Sequence, residues 1–256
     1  MSIRKKVLMS GDSWAFGSGR VFFDGNHHIF GLPATDTGIH MRDLFTEYEF
    51  TNYPFLGGHN IQSVKAIKNA LSSEEFDYIF WVQTDPMRDI ASVKPHKFNE
   101  QIVLTDYMID LASSSNILQF LENKLTKTYL ELDKVAADAG VKIHCVGGCS
   151  MLHHTISEFE NLLPIMPSII QFLIPTFTQD TIVFNTAWIT GMIDYERTHT
   201  VNEVFSANLR EIADIYHAKS TVAFGSEPYF ICGSDREHPS PAGITCWTTE
   251  CKTYIK

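Results

Sequence analysis

The feature that most constrains this chain is an alternation of two hydrophobic periods along its length. Short apolar runs rich in β-branched and aromatic residues recur at 6–9, 49–53, 78–82, 141–146 and 181–184. Between them lie stretches with helical spacing at 38–48, 61–71, 117–139 and 201–217, and the chain closes on another at 242–255. Strands separated by helices return in the same direction, so the pattern implies a parallel sheet with helices on both faces, a three-layer α/β sandwich.

Two boundaries carry local chemistry. Asn60 precedes the periodic run Ile61, Val64, Ile67, Ala70 and Leu71, where a helix N-cap belongs. Gly140 ends the 117–139 helix, as a C-terminal glycine does. No internal repeat, low-complexity tract or linker interrupts the 256 residues, and a 44% apolar content is enough for one core. One domain over 1–256 is expected, with excursions at 86–115 and 151–180 that elaborate the sheet. The apolar segment 162–177 holds Pro164, Pro167 and Pro175 and is too short to span a bilayer. A buried helix is expected there, with a hydrophobic cap over a pocket as the alternative.

With 30 acidic against 20 basic residues the formal charge is -10, which argues against nucleic acid as a partner. The basic run Arg4-Lys5-Lys6 reads as a solubilising flank before the first strand. Five cysteines without paired spacing indicate neither a zinc site nor a disulfide framework and suit a reducing compartment. Ser10-Gly11-Asp12-Ser13 cuts the first apolar run short of a signal-peptide core. The expected location is therefore cytoplasmic, a virion-associated or otherwise released protein being the alternative. Adjacent histidines at 27–28 and 153–154 match no zinc spacing, so no metal is expected, and no cofactor. Asp85 and Asp89 flank Arg88 and read as a local ion pair rather than a glycosidase dyad. Oligomeric state has no signature.

Chemistry concentrates at two places. Gly11-Asp12-Ser13-Trp14 follows the first strand directly, and parallel sheets bind ligands at the carboxyl ends of their strands. Asp235-Arg236-Glu237-His238-Pro239-Ser240 precedes the last helix. A serine hydroxyl needs a base, and the base needs an orienting group; His238 and Asp235, three residues apart, supply both.

Together these two blocks resemble the first and last sequence blocks of the SGNH/GDSL hydrolase family. The resemblance implies a flavodoxin-like α/β/α sandwich and a triad of Ser13 as nucleophile, His238 as base then acid, and Asp235 as orienting carboxylate. The family places an oxyanion-binding glycine after the second strand, and Gly58, or else Gly57, occupies that place. After the third strand the family has Gly-x-Asn-Asp; here Val82-Gln83-Thr84-Asp85-Pro86 departs from it. Thr84 falls at the asparagine position, so its hydroxyl, or the Gln83 amide, is the expected side-chain oxyanion donor beside the Ser13 and Gly58 amides. Asp12, Trp14 and Asp85 are expected next to substrate.

The implied reaction is hydrolysis of a carboxylic ester through an acyl-enzyme, the substrate a small-molecule or glycan ester such as an acetylated carbohydrate. Acyl transfer to another acceptor uses the same triad. A non-catalytic carbohydrate- or protein-binding module is the reading from a different class, and the altered third block is its clue.

Overall fold

The structure, a computed structural model, describes residues 4–17, 39–55, 58–84, 86, 117–148, 150–174, 239 and 241–256. The strand expected at 181–184, the helix expected at 201–217 and nearly all of the 86–115 excursion lie outside the described residues.

Among the described residues five strands form one sheet: β1 (Lys6–Gly11), β2 (Glu49–Pro54), β3 (Tyr78–Gln83), β4 (Ile143–Gly147) and β5 (Leu162–Met166). All pairings are parallel, in the order β2-β1-β3-β4-β5. This is the flavodoxin-like doubly wound order. Five helices accompany it among the described residues: α1 (Met41–Leu44), α2 (Asn60–Leu71), α3 (Ile117–Ala139), α4 (Ile169–Leu173) and α5 (Pro241–Lys252).

The period of two along each strand sends alternate side chains to opposite faces. Val7, Met9, Phe80, Val82 and Val146 pack with Met41, Ile169, Leu173, Ile244 and Trp247 of α1, α4 and α5. Leu8, Ile79, Trp81, Ile143 and Cys145 pack with Val64, Ile67, Leu125, Tyr129 and Leu132 of α2 and α3. Both strand faces are therefore apolar, and the result is the expected three-layer α/β/α architecture. Trp81 and Trp247, one in each of the two apolar clusters, are fully buried. Burying such an indole removes on the order of 200 Å² from water, about 5 kcal/mol of gross transfer free energy.

The end of α3 follows from Gly140, whose φ of +67° is a conformation that glycine adopts without Cβ strain. Its N–H bonds Ala137 O at 3.1 Å and the Val141 N–H bonds Ala136 O at 3.0 Å, a Schellman closure that delivers the chain to β4.

Three local expectations are corrected. Asn60 is the first residue of α2, not its cap; His59 is the cap, and its N–H bonds Gln62 Oε1 at 3.2 Å. The helix expected at 38–48 is the single turn α1, after which Phe45 stacks on Phe50 of β2 at 4.6 Å between ring centroids. The described part of the 162–177 segment, 162–174, holds strand β5 followed by the short α4, capped by Ser168 Oγ accepting from Gln171 N–H at 2.9 Å. Pro164 lacks an N–H, and β5, the last strand of the sheet among the described residues, pairs with β4 through a register that shifts by a bulge beside Cys145. Among the described residues no helix is long and apolar enough to cross a membrane.

Candidate active site

β1 ends at Gly11, and the chain turns at once into a 3-10 turn, Ser13–Ala15. A Cβ at Gly11 would sit 2.8 Å from Val82 O and 2.9 Å from the Ala15 Cβ, so only glycine lets the turn fold back against β3. Ser13 stands at the carboxyl end of β1, next to β3. The chain beyond β1 reaches α1 on one face, whereas α3, which follows β3 in the chain, lies on the other. This is the topological switch point of the sheet, where doubly wound folds open a crevice for ligands. The Ser13 side chain is outside the described part of the residue.

The turn is held from both neighbouring strands. Asp12 is 1% exposed; its Oδ1 accepts from the Trp14 N–H at 3.0 Å and its Oδ2 from Thr84 Oγ1 at 2.5 Å. On the other side Asn52 of β2 donates from Nδ2 to Ala15 O at 2.9 Å, and Phe55 N–H bonds Gly11 O at 2.9 Å. Trp14 packs into the apolar core at 3% exposure. Asp12 and Trp14, expected against substrate, are the anchor and the plug of the Ser13 turn: the carboxylate accepts at both oxygens and the indole is covered.

Three of the expected oxyanion donors, Gly58, Thr84 and Gln83, have hydrogen-bond partners within the protein. The Gly58 N–H closes a turn onto Phe55 O at 2.8 Å. The single hydrogen of the Thr84 hydroxyl goes to Asp12. Gln83 points to the opposite face of β3, where Nε2 donates to Ser150 Oγ at 3.0 Å and to Met151 O at 2.8 Å, while Oε1 accepts from Tyr129 OH at 2.6 Å. Burial pushes the Tyr129 phenol far above its ordinary pKa, so it stays a neutral donor. Gln83 is thus a strut between β3, α3 and the loop after β4, not a group that faces the Ser13 turn.

Asn60 has a role that its helix-start position did not suggest. Its Oδ1 accepts from the Thr84 N–H at 2.9 Å and its Nδ2 donates to Thr84 O at 3.2 Å, a reciprocal amide pair joining the start of α2 to the end of β3. Asn52 was not singled out in the sequence either. Its signal was an asparagine near the end of a strand run, a position the residue avoids without a specific partner.

His238 and Asp235 lie outside the described residues, as do Asp85 and Gly57; Pro239 is buried just before α5. Two of the described cysteines are poor nucleophiles. Cys145 and Cys251 are fully buried and burial pushes both thiols up, away from the reactive thiolate. His59, beside Gly58, has its pKa lowered by burial and then by Lys65. Among the described residues no group of three or more His, Cys, Asp or Glu side chains could hold a metal.

No family model matches the chain, and neither does any curated protein. Solved structures do show a likeness. The chain is similar to a mutant of the esterase AlinE4, with TM-score 0.37 and 9% identity over 77% of this chain and 95% of that one. It is also similar to a catalytic mutant of Axe2, an acetylxylan esterase from Geobacillus stearothermophilus, with TM-score 0.35 and 13% identity over 100% of this chain and 95% of that one. At such identities and scores the likeness assigns no residue a role.

Proposed function

We propose that this protein is a serine hydrolase that cleaves a carboxylic ester, with Ser13 as nucleophile, His238 as general base and then acid, and Asp235 orienting the imidazole. The observation that carries the reading is the position of Ser13: a serine on a tight, doubly anchored turn at the switch point of a parallel sheet. The resemblance of both sequence blocks to the SGNH/GDSL family supports it further.

In this scheme His238 takes the Ser13 hydroxyl proton as Oγ attacks the ester carbonyl. The carbon–oxygen bond to the leaving group then breaks, and His238 returns the proton to that alcohol. Water, deprotonated by His238, next attacks the acyl-enzyme; the carboxylic acid departs and Ser13 regains its hydrogen. The oxyanion is held by backbone amides, that of Ser13 and that of Gly57, since the neighbouring Gly58 N–H closes a turn. The substrate class is a small acyl ester, an acetylated carbohydrate first.

The test is labelling of the purified protein by a fluorophosphonate probe, with Ser13→Ala and His238→Ala as controls. Labelling at Ser13 that falls on the order of 1000-fold or more in either variant is expected. A well-folded protein that does not label refutes the hydrolase and leaves the binding module.

A further inference from the structure

The geometry points to Thr84 as a positioning residue that acts through Asp12 on the Ser13 turn, instead of the oxyanion donor its register suggests; this rests on Ser13 being the nucleophile. Thr84 is 1% exposed, and its hydroxyl hydrogen is given to Asp12 Oδ2 at 2.5 Å. One hydrogen cannot serve a carboxylate and a developing oxyanion at once. The other oxygen of Asp12 takes the Trp14 N–H at 3.0 Å, one residue past the nucleophile. The Asp12 carboxylate is therefore a bridge, with the end of β3 on one side and the 3-10 turn on the other.

The β3 side of the bridge is rigid. Thr84 N–H and O are both held by the Asn60 side chain, at 2.9 and 3.2 Å, and Thr84 O also accepts from Ser150 Oγ at 3.3 Å. A β-branched side chain on a fixed backbone has few rotamers, so the hydroxyl is aimed at Asp12 by construction. Bonds to an ionised acceptor are stronger than neutral ones, and this one is buried. Its consequence for chemistry is the placing of the Ser13 turn. Removing it lets the turn relax, and a misplaced nucleophile loses turnover without a matching loss of substrate affinity.

The experiment measures kcat and KM on p-nitrophenyl acetate, with the fluorophosphonate labelling rate, for Thr84→Val, Thr84→Ser, Asp12→Asn and the Thr84→Val/Asp12→Asn double variant. Thr84→Val is expected to lower kcat about 10- to 100-fold with KM within about twofold, and Thr84→Ser to restore it. In the Asp12→Asn background the same Val substitution is expected to cost little more, because the two residues act as one unit. A loss undiminished in that background means that Thr84 acts directly on the oxyanion and overturns the proposal, as does an unchanged kcat in Thr84→Val. If Thr84→Val fails to melt cooperatively, Asp12→Asn decides alone. It keeps the shape and the acceptor for Trp14 while freeing the Thr84 hydrogen, so a lower kcat at constant KM supports the bridge and an equal or higher kcat overturns it. Wild-type protein that neither labels nor turns over removes the nucleophile reading itself, which separates that failure from this one.

Discussion

The two ends of the sheet use opposite polar chemistry. At the amino ends Lys5 pairs with Asp77 at 3.7 Å and Lys6 with Glu49 at 3.8 Å, all four side chains at least 37% exposed. Lys6 also bonds Glu74, and this contact raises its pKa. At the carboxyl ends Asp12, Asn60, Gln83, Thr84 and Ser150 are at most 1% exposed and bond one another or the backbone. An exposed pair gains about 0–1 kcal/mol because water screens it and two long side chains lose freedom. A buried polar group that loses its partner costs about 1–3 kcal/mol, since nothing replaces the bond. The first end is loosely held and replaceable. The second is a rigid rim, and it surrounds the end of the sheet where a ligand would sit.

Three substitutions probe this contrast, from the largest effect to the smallest. Gln83→Leu removes the acceptor of the Tyr129 hydroxyl hydrogen and the donor to Met151 O and Ser150 Oγ, and a loss on the order of 3 kcal/mol in urea unfolding is expected. A loss as small as that of an exposed pair would break the comparison.

His144 gives an intermediate, pH-dependent case from the amino half of β4. Its ring lies 5.1 Å from Phe80, and burial lowers its pKa from the ordinary 6.5. The folded state then prefers the neutral ring. The unfolded chain takes up the proton first as pH falls below about 6.5, so the contribution is intact above that value and is lost progressively toward the lowered folded pKa. Thermal melts at about pH 7 and about pH 5 are expected to differ less in His144→Phe than in the wild type; an equal difference would show that the ring does not contribute.

Glu74→Gln, at the exposed end, is expected to change stability by less than about 0.5 kcal/mol, an effect that vanishes in high salt. A cost near that of Gln83→Leu would mean that the amino-end charges form a tighter network than their exposure implies.

The legible parts of the fold were those written in local periodicity and caps. The stretch 117–139 was expected as a helix and is helix α3 over Ile117–Ala139, because amphipathic spacing and Gly140 are both local signals. The runs at 49–53 and 78–82 emerged as β2 and β3, each one residue longer. Strand β5 at Leu162–Met166 was not legible, since a short, uniformly apolar stretch has no period that separates strand from buried helix. In the site, the turn bearing Ser13 was legible from Gly-Asp-Ser after a strand. The partners of Thr84, Gln83 and Gly58 were not, because residue type and register do not show where in the fold each side chain or amide finds its hydrogen bond.

By itself, then, the sequence determined the alternation of strand and helix, the layering that two apolar strand faces require, and the placement of a serine directly after β1. Tertiary structure alone decided that the Thr84 hydroxyl is given to Asp12, 72 residues away, and that Asn60 closes on the Thr84 backbone rather than on its own helix. The physical reason is range. Periodicity and capping depend on neighbours within a turn or two, but the single hydrogen of a buried hydroxyl goes to whichever acceptor the packed sheet brings within reach.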